Sequence, residues 1–262
     1  LPPALRCLLR LRDAYDVIYV CGLRVLGVIG VRAARRLGKP CVLRAESAGE
    51  FSGEFIWNNP LHGRSTALHR LFRGPVRLRN GYLRRADHFV SISATLSAEF
   101  AACGVRPEQI TRIPNGIDTA AFTPATPDER RALRARLGLP EAARIFCYSG
   151  KLNRGKGLEF LVEVWRQLAA ALPAPPLLVL VGGGGQQALG CEAALRAQVA
   201  HHGLSAAVVF TGYVNNVADY LRAADGFLFP SESEALPMAL LEAMACGLPI
   251  LATPVGGIPD VV

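Results

Sequence analysis

No apolar run in the 262 residues reaches the roughly 18 that a membrane-crossing helix needs. Val17–Val31 comes nearest, and Arg24 interrupts it. The chain does not open with the charged, apolar and cleavage-site succession of a secretory leader. Its seven cysteines (Cys7, Cys21, Cys41, Cys103, Cys147, Cys191 and Cys246) are odd in number and form no C-x-x-C pair. That argues against a disulfide framework and for small apolar residues in a reducing cytoplasm. The five histidines (His62, His69, His88, His201 and His202) show no ligand spacing near a cysteine or carboxylate cluster, so no metal site is read. Asp-x-Asp is absent, which leaves no obvious holder for a divalent cation. The nucleophile elbow G-x-S-x-G and internal repeats are absent as well.

What is present is a globular composition. The chain is 51% apolar and 19% charged, enough for a sizeable core and against disorder. Its length suits one large or two medium domains. The net charge of +8 is uneven: residues 1–120 hold 18 Lys/Arg against 9 Asp/Glu, and residues 121–262 hold 11 against 12. Lysine is scarce, with only Lys39, Lys151 and Lys156. A basic first half suits an anionic membrane surface or an anionic acceptor, or is simply a solvated arginine face. Residues 64–85 concentrate this charge around Leu68, Leu71, Phe72, Leu78 and Leu83. Gly74-Pro75 is expected to break that segment, so it is not read as one long membrane-lying helix. Only Phe72 and Tyr82 interleave with the basic run, which speaks against nucleic acid as a partner.

The second half alternates strand-like runs (144–148, 177–181, 208–211, 226–229, 249–252) with helical patterns (157–172, 189–202, 216–223, 237–246). Continuous apolar strands joined by helices imply a parallel, doubly wound sheet covered on both faces. Ligands then sit beyond the carboxyl ends of its strands. The first half repeats the pattern with strands at 17–21, 41–45, 89–92 and 110–113 and helices at 25–37, 68–85 and 95–103. An opening strand with a glycine-rich turn is not found, so the first domain is expected to be incomplete. Asn115-Gly116, Pro124 and Pro127 mark a linker. The expected division is 1–124 and 125–262, with a cleft between two Rossmann-like domains.

Four segments carry candidate chemistry. Gly150–Gly157, GKLNRGKG, follows a strand and opens a helix; its amides with Lys151 and Lys156 would cradle a diphosphate. A basic surface turn is the alternative, and the Walker spacing fails. Gly182–Gly185 ends the next strand and either admits a ligand against the backbone or is a flexible turn. A dinucleotide fingerprint does not fit, because Gln187 and Ala188 follow. Glu46, Glu50 and Glu54 follow the strand 41–45, with Gly49 and Gly53 favouring a loop; Glu46 is the candidate to face the cleft. Residues 230–260 place Glu234 and Glu242 eight positions apart across a turn, Pro237 and an apolar helix. Two carboxylates beside a helix N-terminus suit a sugar joined to a phosphate.

Together these segments resemble the family 4 retaining glycosyltransferases of the GT-B fold. The resemblance rests on IPNGID at 113–118, SGKL…KG at 149–157, LLVLVGGG, FTGYV at 210–214 and PSESEALPMALLEAMACGLPI, in that order. It implies two doubly wound domains facing across a cleft and a chain truncated at both ends. It also implies transfer of a hexose from a nucleotide-diphosphate sugar, such as a UDP-sugar, to a polysaccharide, lipid-linked or other glycan acceptor. No cofactor and no metal are expected, the donor being a co-substrate. Lys156, with Lys151 and Gly150, would hold the donor diphosphate. Glu234, with Ala235 and Leu236, would contact the donor sugar. Glu242 would hold the ribose, and Tyr213, Val214 and Gly182 would flank the base. Glu234, Lys156 and Glu46 are the catalytic candidates. The expected location is cytoplasmic, peripheral on the inner face of the membrane. A non-catalytic nucleotide-sugar binding fragment and a nucleotide-sugar epimerase are the competing expectations.

Three positions depart from the family pattern. Lys151 stands at an arginine position, Ala235 at a glycine position, and Glu46 where many members carry histidine.

Overall fold

The structure is a computed structural model and describes residues 3–59, 63–185 and 189–262. His62, Gln187 and Ala188 lie outside the described residues, as does the Arg64 side chain. The chain divides into two compact units. The first is Leu1–Asn115 with Glu234–Leu236 and Gly256–Val261; the second is Gly116–Ser233 with Pro237–Val255 and Val262.

The first unit runs α1 (Pro3–Arg10), β1 (Ile18–Cys21), α2 (Leu26–Leu37), β2 (Cys41–Arg44), α3 (Glu54–Trp57), β3 (Asn58–Asn59), β4 (Gly63–Arg64), α4 (Thr66–Leu83), β5 (His88–Ser91), α5 (Ala94–Ala102) and β6 (Ile110–Arg112). Its four-stranded parallel sheet has the order β1-β2-β5-β6, and β3 and β4 form a separate antiparallel pair. Phe51, Phe89 and Phe100 meet edge to face with ring centroids 5.4–5.7 Å apart, the arrangement their quadrupoles favour.

The helix α4 corrects one expectation: it continues through Gly74-Pro75. Both residues are exposed. Proline withholds one N–H from the carbonyl four residues back, and on a solvent face water can satisfy that carbonyl. Ser65 caps the helix by accepting from the Leu68 N–H at 3.3 Å.

The second unit runs α6 (Pro127–Leu137), β7 (Ile145–Ser149), α7 (Leu158–Ala171), β8 (Leu177–Val181), α8 (Glu192–His201), β9 (Val208–Gly212), α9 (Val217–Ala223), β10 (Gly226–Phe229), α10 (Met238–Ala245) and β11 (Ile250–Ala252). All five strands are parallel in the order β11-β10-β7-β8-β9. Every residue of β8 and β10 is buried, as continuous apolar strands require.

Two further features hold this unit. The helix α6 begins at Pro127, where the expected linker ends, in a stretch for which no helix was expected. Thr126 and Glu129 form a reciprocal capping box, Pro127 opens the helix, and Gly138 closes it in the left-handed region, each favourable at its position. Arg134 on α6 is buried and donates to the Ala223, Glu141 and Ala143 carbonyls and to Asp225 at 2.7–3.0 Å. Asp225 also accepts from the Ile145 N–H at 2.7 Å. These bonds clamp the amino ends of β7 and β10, opposite the strand ends where ligands bind. On one sheet face, Phe160 (67% exposed) and Leu251 (72%) border an apolar cavity of about 360 Å³, with Trp165 and Leu228 in its lining.

Candidate active site

The strand order of the second unit turns over between β7 and β10. From β7 the chain proceeds to β8 and β9 on one side, and from β10 to β11 on the other. The loops leaving these two strands therefore part, and the crevice between them is where doubly wound sheets bind ligands. The first loop is 150–157, and the second starts at Pro230.

The loop 150–157 is built almost wholly from backbone contacts. The Gly150 N–H donates to the Val181 carbonyl, Leu152 to Gly183, Arg154 to Leu189, and Cys191 to Leu152, all at 2.8–3.2 Å. The Tyr148 hydroxyl donates to the Lys151 carbonyl at 3.1 Å. Glycines make this possible. A Cβ on Gly182 would sit 2.1 Å from the Gly150 oxygen, and one on Gly184 would sit 2.8 Å from the Leu152 oxygen. Those two glycines thus serve close backbone approach rather than slack. Gly184 is further fixed by its N–H donating to Glu192 at 2.8 Å. That hydrogen bond, with the Arg196 guanidinium, holds the Glu192 carboxyl below its usual range.

Gly157 joins the two loops. It is the left-handed N-cap of α7, with φ +67, and its Cβ would lie 2.0 Å from the Pro230 oxygen. The Glu232 N–H donates to the Gly155 carbonyl at 3.0 Å. Neither α7 nor α10, the helices that leave β7 and β10, has a side-chain cap. The helices α2, α8 and α9 also start without one, whereas α4, α5 and α6 are capped by Ser65, Ser93 and Thr126. Uncapped helix starts keep free N–H groups and partial positive charge.

Among the expected residues in this unit, the structure brings Gly150, Gly182 and Tyr213 together. The Gly182 N–H donates to the Gly212 carbonyl at 3.1 Å, and a Cβ on Gly183 would be 3.6 Å from the Tyr213 nitrogen. The Tyr213 side chain is 86% exposed, and Val214 is half-buried. Lys151 is exposed and has no ion pair among the described residues, while Lys156 is half-buried at the start of α7. Glu242 lies on α10, half-buried, with burial alone raising its carboxyl pKa above the usual range. No hydrogen bond or ion pair holds that carboxylate among the described residues.

The first unit contains the other candidates. Glu46 is exposed on the loop after β2, with its carboxylate 3.7 Å from Arg44. Arg44 in turn donates to the Asn115 side chain. Glu50 and Glu99 serve as internal scaffolding. Buried Glu50 accepts from the Leu23 N–H at 3.1 Å, and Glu99 accepts from the Gly49, Phe51 and Ser52 N–H groups at 2.7–2.9 Å. The role of Glu99 had no signal in the sequence, since it lies some 50 residues from the loop it ties. Glu234 is half-buried, and Ala235 and Leu236 are buried. Their backbone runs so close to Gly256-Gly257 that Cβ atoms there would lie 1.7 Å from the Glu234 oxygen and 2.2 Å from the Ala235 oxygen. The Leu236 carbonyl accepts from the Asn115 carboxamide at 2.9 Å.

Among the described residues, no group of three His, Cys, Asp or Glu is placed to hold a metal ion. No described helix is long and apolar enough to cross a membrane.

Comparison with known proteins is consistent with this geometry. The family described as Glycosyl transferases group 1 matches residues 129–262, and Glycosyltransferase Family 4 matches residues 1–121. A D-inositol 3-phosphate glycosyltransferase of Jonesia denitrificans is 35% identical over 60% of this chain and 38% of its own length. A GDP-mannose-dependent monoacylated alpha-(1-6)-phosphatidylinositol monomannoside mannosyltransferase of Corynebacterium glutamicum is 32% identical over 64% of this chain and 44% of its own. The chain thus spans less than half the length of these two relatives. Among solved structures, Anabaena HepE in complex with UDP-glucose superposes with a TM-score of 0.78 at 23% identity, covering 99% of this chain and 65% of that one. Sucrose-phosphate synthase from Thermosynechococcus elongatus gives 0.79 at 25% identity, covering 99% and 62%. The chain belongs to the glycosyl transferases group 1 family and has the GT-B fold.

Proposed function

We propose that this chain forms the core of a retaining glycosyltransferase that needs no metal and moves a hexose from a nucleotide-diphosphate sugar to a polysaccharide, lipid-linked or other glycan acceptor. Residues 125–262 bind the donor and residues 1–124 face the acceptor. The observation that carries this reading is the pair of uncapped helices, α7 and α10, leaving the two strands at the switch point, with Lys151 and Lys156 beside the first.

The chemistry follows from charge. The bond from the sugar anomeric carbon to the diphosphate breaks, and the acceptor hydroxyl oxygen bonds to that carbon and passes its proton to the departing diphosphate. Negative charge grows on the departing diphosphate, and helix N–H groups with the Lys151 and Lys156 ammonium groups stabilise it. Glu242 accepts hydrogen bonds from the ribose hydroxyls, which its unpartnered carboxylate suits. Glu234, with Ala235 and Leu236, contacts the donor sugar. Backbone at Tyr213, Val214 and Gly182 flanks the base, and Glu46 serves the acceptor side. The crystallised UDP-glucose complex of HepE and the GDP-mannose dependence of the Corynebacterium relative support a nucleotide-sugar donor without choosing its base. The arginine-rich first unit supports a peripheral position on an anionic cytoplasmic membrane face.

Calorimetric titration with UDP, GDP and ADP, without and then with magnesium, tests the reading. Saturable binding of one nucleotide without metal is expected. A folded chain that binds none of them overturns it.

A further inference from the structure

We propose that a cavity on the flank of the first unit binds a phosphate-bearing anion. The cavity has a volume of about 560 Å³ and is lined by Arg73, Arg77, Arg84, His69, Asn80 and Ser52, among others. The proposal does not rest on the donor-site reading.

Three observations carry it. First, Arg73 and Arg77 on α4 and Arg84, the residue that caps its carboxyl end with helical dihedrals, fall at i, i+4 and i+11, so they share one stripe. Like charges at i, i+4 destabilise a helix, and this helix keeps them. Second, the three guanidiniums are uncommitted. None donates a hydrogen bond or pairs with a carboxylate among the described residues. Arg79 of the same helix shows the contrast, for it is spent on the Glu50 and Phe51 carbonyls at 2.7–2.8 Å. Third, no carboxylate lines the cavity among the described residues. The neighbouring Glu99 is turned to three backbone N–H groups of the loop 49–52.

The far wall is shaped for this. Gly104 follows α5 with φ +84, and a Cβ there would lie 2.7 Å from an Arg84 guanidinium nitrogen. The glycine therefore gives Arg84 its room. The cavity lies at the carboxyl end of α5, a nine-residue helix. At 1.5 Å per residue that is about 13 Å from the strand ends where this sheet would bind a ligand. Guanidinium forks match phosphate oxygens in pairs. The ligand class is thus a phosphate mono- or diester, from a lipid headgroup or a free phosphorylated compound.

The test is calorimetric titration of the chain with inorganic phosphate at low salt, alongside flotation with phosphatidic acid vesicles and with phosphatidylcholine vesicles. Saturable 1:1 phosphate binding is expected, weakened at least tenfold in R73Q/R77Q. The control R6Q/R10Q removes the same charge from the exposed α1 and should lose less than about twofold. R73K/R77K keeps the charge and loses the forks, so it should fall between the two. All variants alter exposed side chains, and unchanged melting curves confirm their folding. If phosphatidic acid vesicles bind and inorganic phosphate displaces them, the source is a headgroup. If phosphate binds and vesicles do not, it is a soluble compound. Equal losses in R73Q/R77Q and R6Q/R10Q, full binding by R73K/R77K, or no saturable phosphate binding would each overturn the proposal.

Discussion

Both units end their strands in loops that must be held in place, and they hold them by opposite means. In the first unit the loop after β2 is tied by side chains: Glu50 takes the Leu23 N–H, and Glu99 takes three N–H groups of the loop. In the second unit the loop after β7 is tied by main-chain bonds and by glycines that let strands touch. The difference decides which side chains remain available. A loop built from carboxylates consumes them, whereas one built from backbone leaves Lys151 and the nearby Glu242 for a ligand. This is why the first unit, richer in charge, offers a less defined site at its strand ends.

The comparison can be broken most severely at Gly157. In Gly157→Ala the new methyl meets the Pro230 oxygen at 2.0 Å, on a backbone at φ +67. A destabilisation of about 4 kcal/mol or more is expected, read as a shifted urea midpoint with the loss centred on the second unit. A shift under about 1 kcal/mol would mean the two loops are not in contact. Next comes Glu99→Ala, which orphans three N–H groups and should cost about 3 kcal/mol. Hydrogen exchange should show the amides of Gly49, Phe51 and Ser52 opening first. Unchanged protection there would show that the loop is held otherwise.

Two substitutions sharpen the comparison on the ligand side. Lys156→Ala should weaken UDP about tenfold to a hundredfold and uridine far less, measured by calorimetry. Equal losses would remove Lys156 from the diphosphate site. The smallest effect concerns stability at Glu242. Burial raises its pKa from the usual 4.5, so folding opposes its ionisation. Its favourable contribution is complete below about pH 4.5 and is lost as pH rises through the raised value. Glu242→Gln escapes that loss, so its melting temperature should exceed the parent's at pH 7 and the margin should shrink toward pH 4. The same variant should bind nucleotide more weakly. A margin independent of pH would contradict this account.

Much of this was legible in the chain. The apolar runs at 177–181 and 226–229 announced central buried strands, and GKLNRGKG and the two glutamates eight apart marked the loops at the switch point. Two helical stretches went unread. The linker expected over 114–127 is irregular chain up to Pro127, but the helix that starts there had no place in the reading, although Thr126 and Glu129 spell a capping box with Pro127 at the first helical position. Gly74-Pro75 read as a break, although a solvent-facing proline is tolerated. The scaffolding role of Glu99 depends on a long-range meeting, Glu99 with the loop 49–52, and local pattern carries no trace of it.

The apolar cavity beside Phe160 and Leu251 bears on how this polypeptide behaves at high concentration. It opens next to β11, whose far side pairs with no strand among the described residues. It also lies in the half of the chain whose charges nearly cancel, 11 basic against 12 acidic residues over 121–262. Colloidal repulsion is therefore weak around this adhesive surface. The apolar cavity favours self-association, while the arginine-rich unit opposes it. Salt that screens the arginine charge weakens that repulsion, and sulfate strengthens apolar association. The strongly basic pI near 9.4 thus overstates how freely this chain stays dispersed.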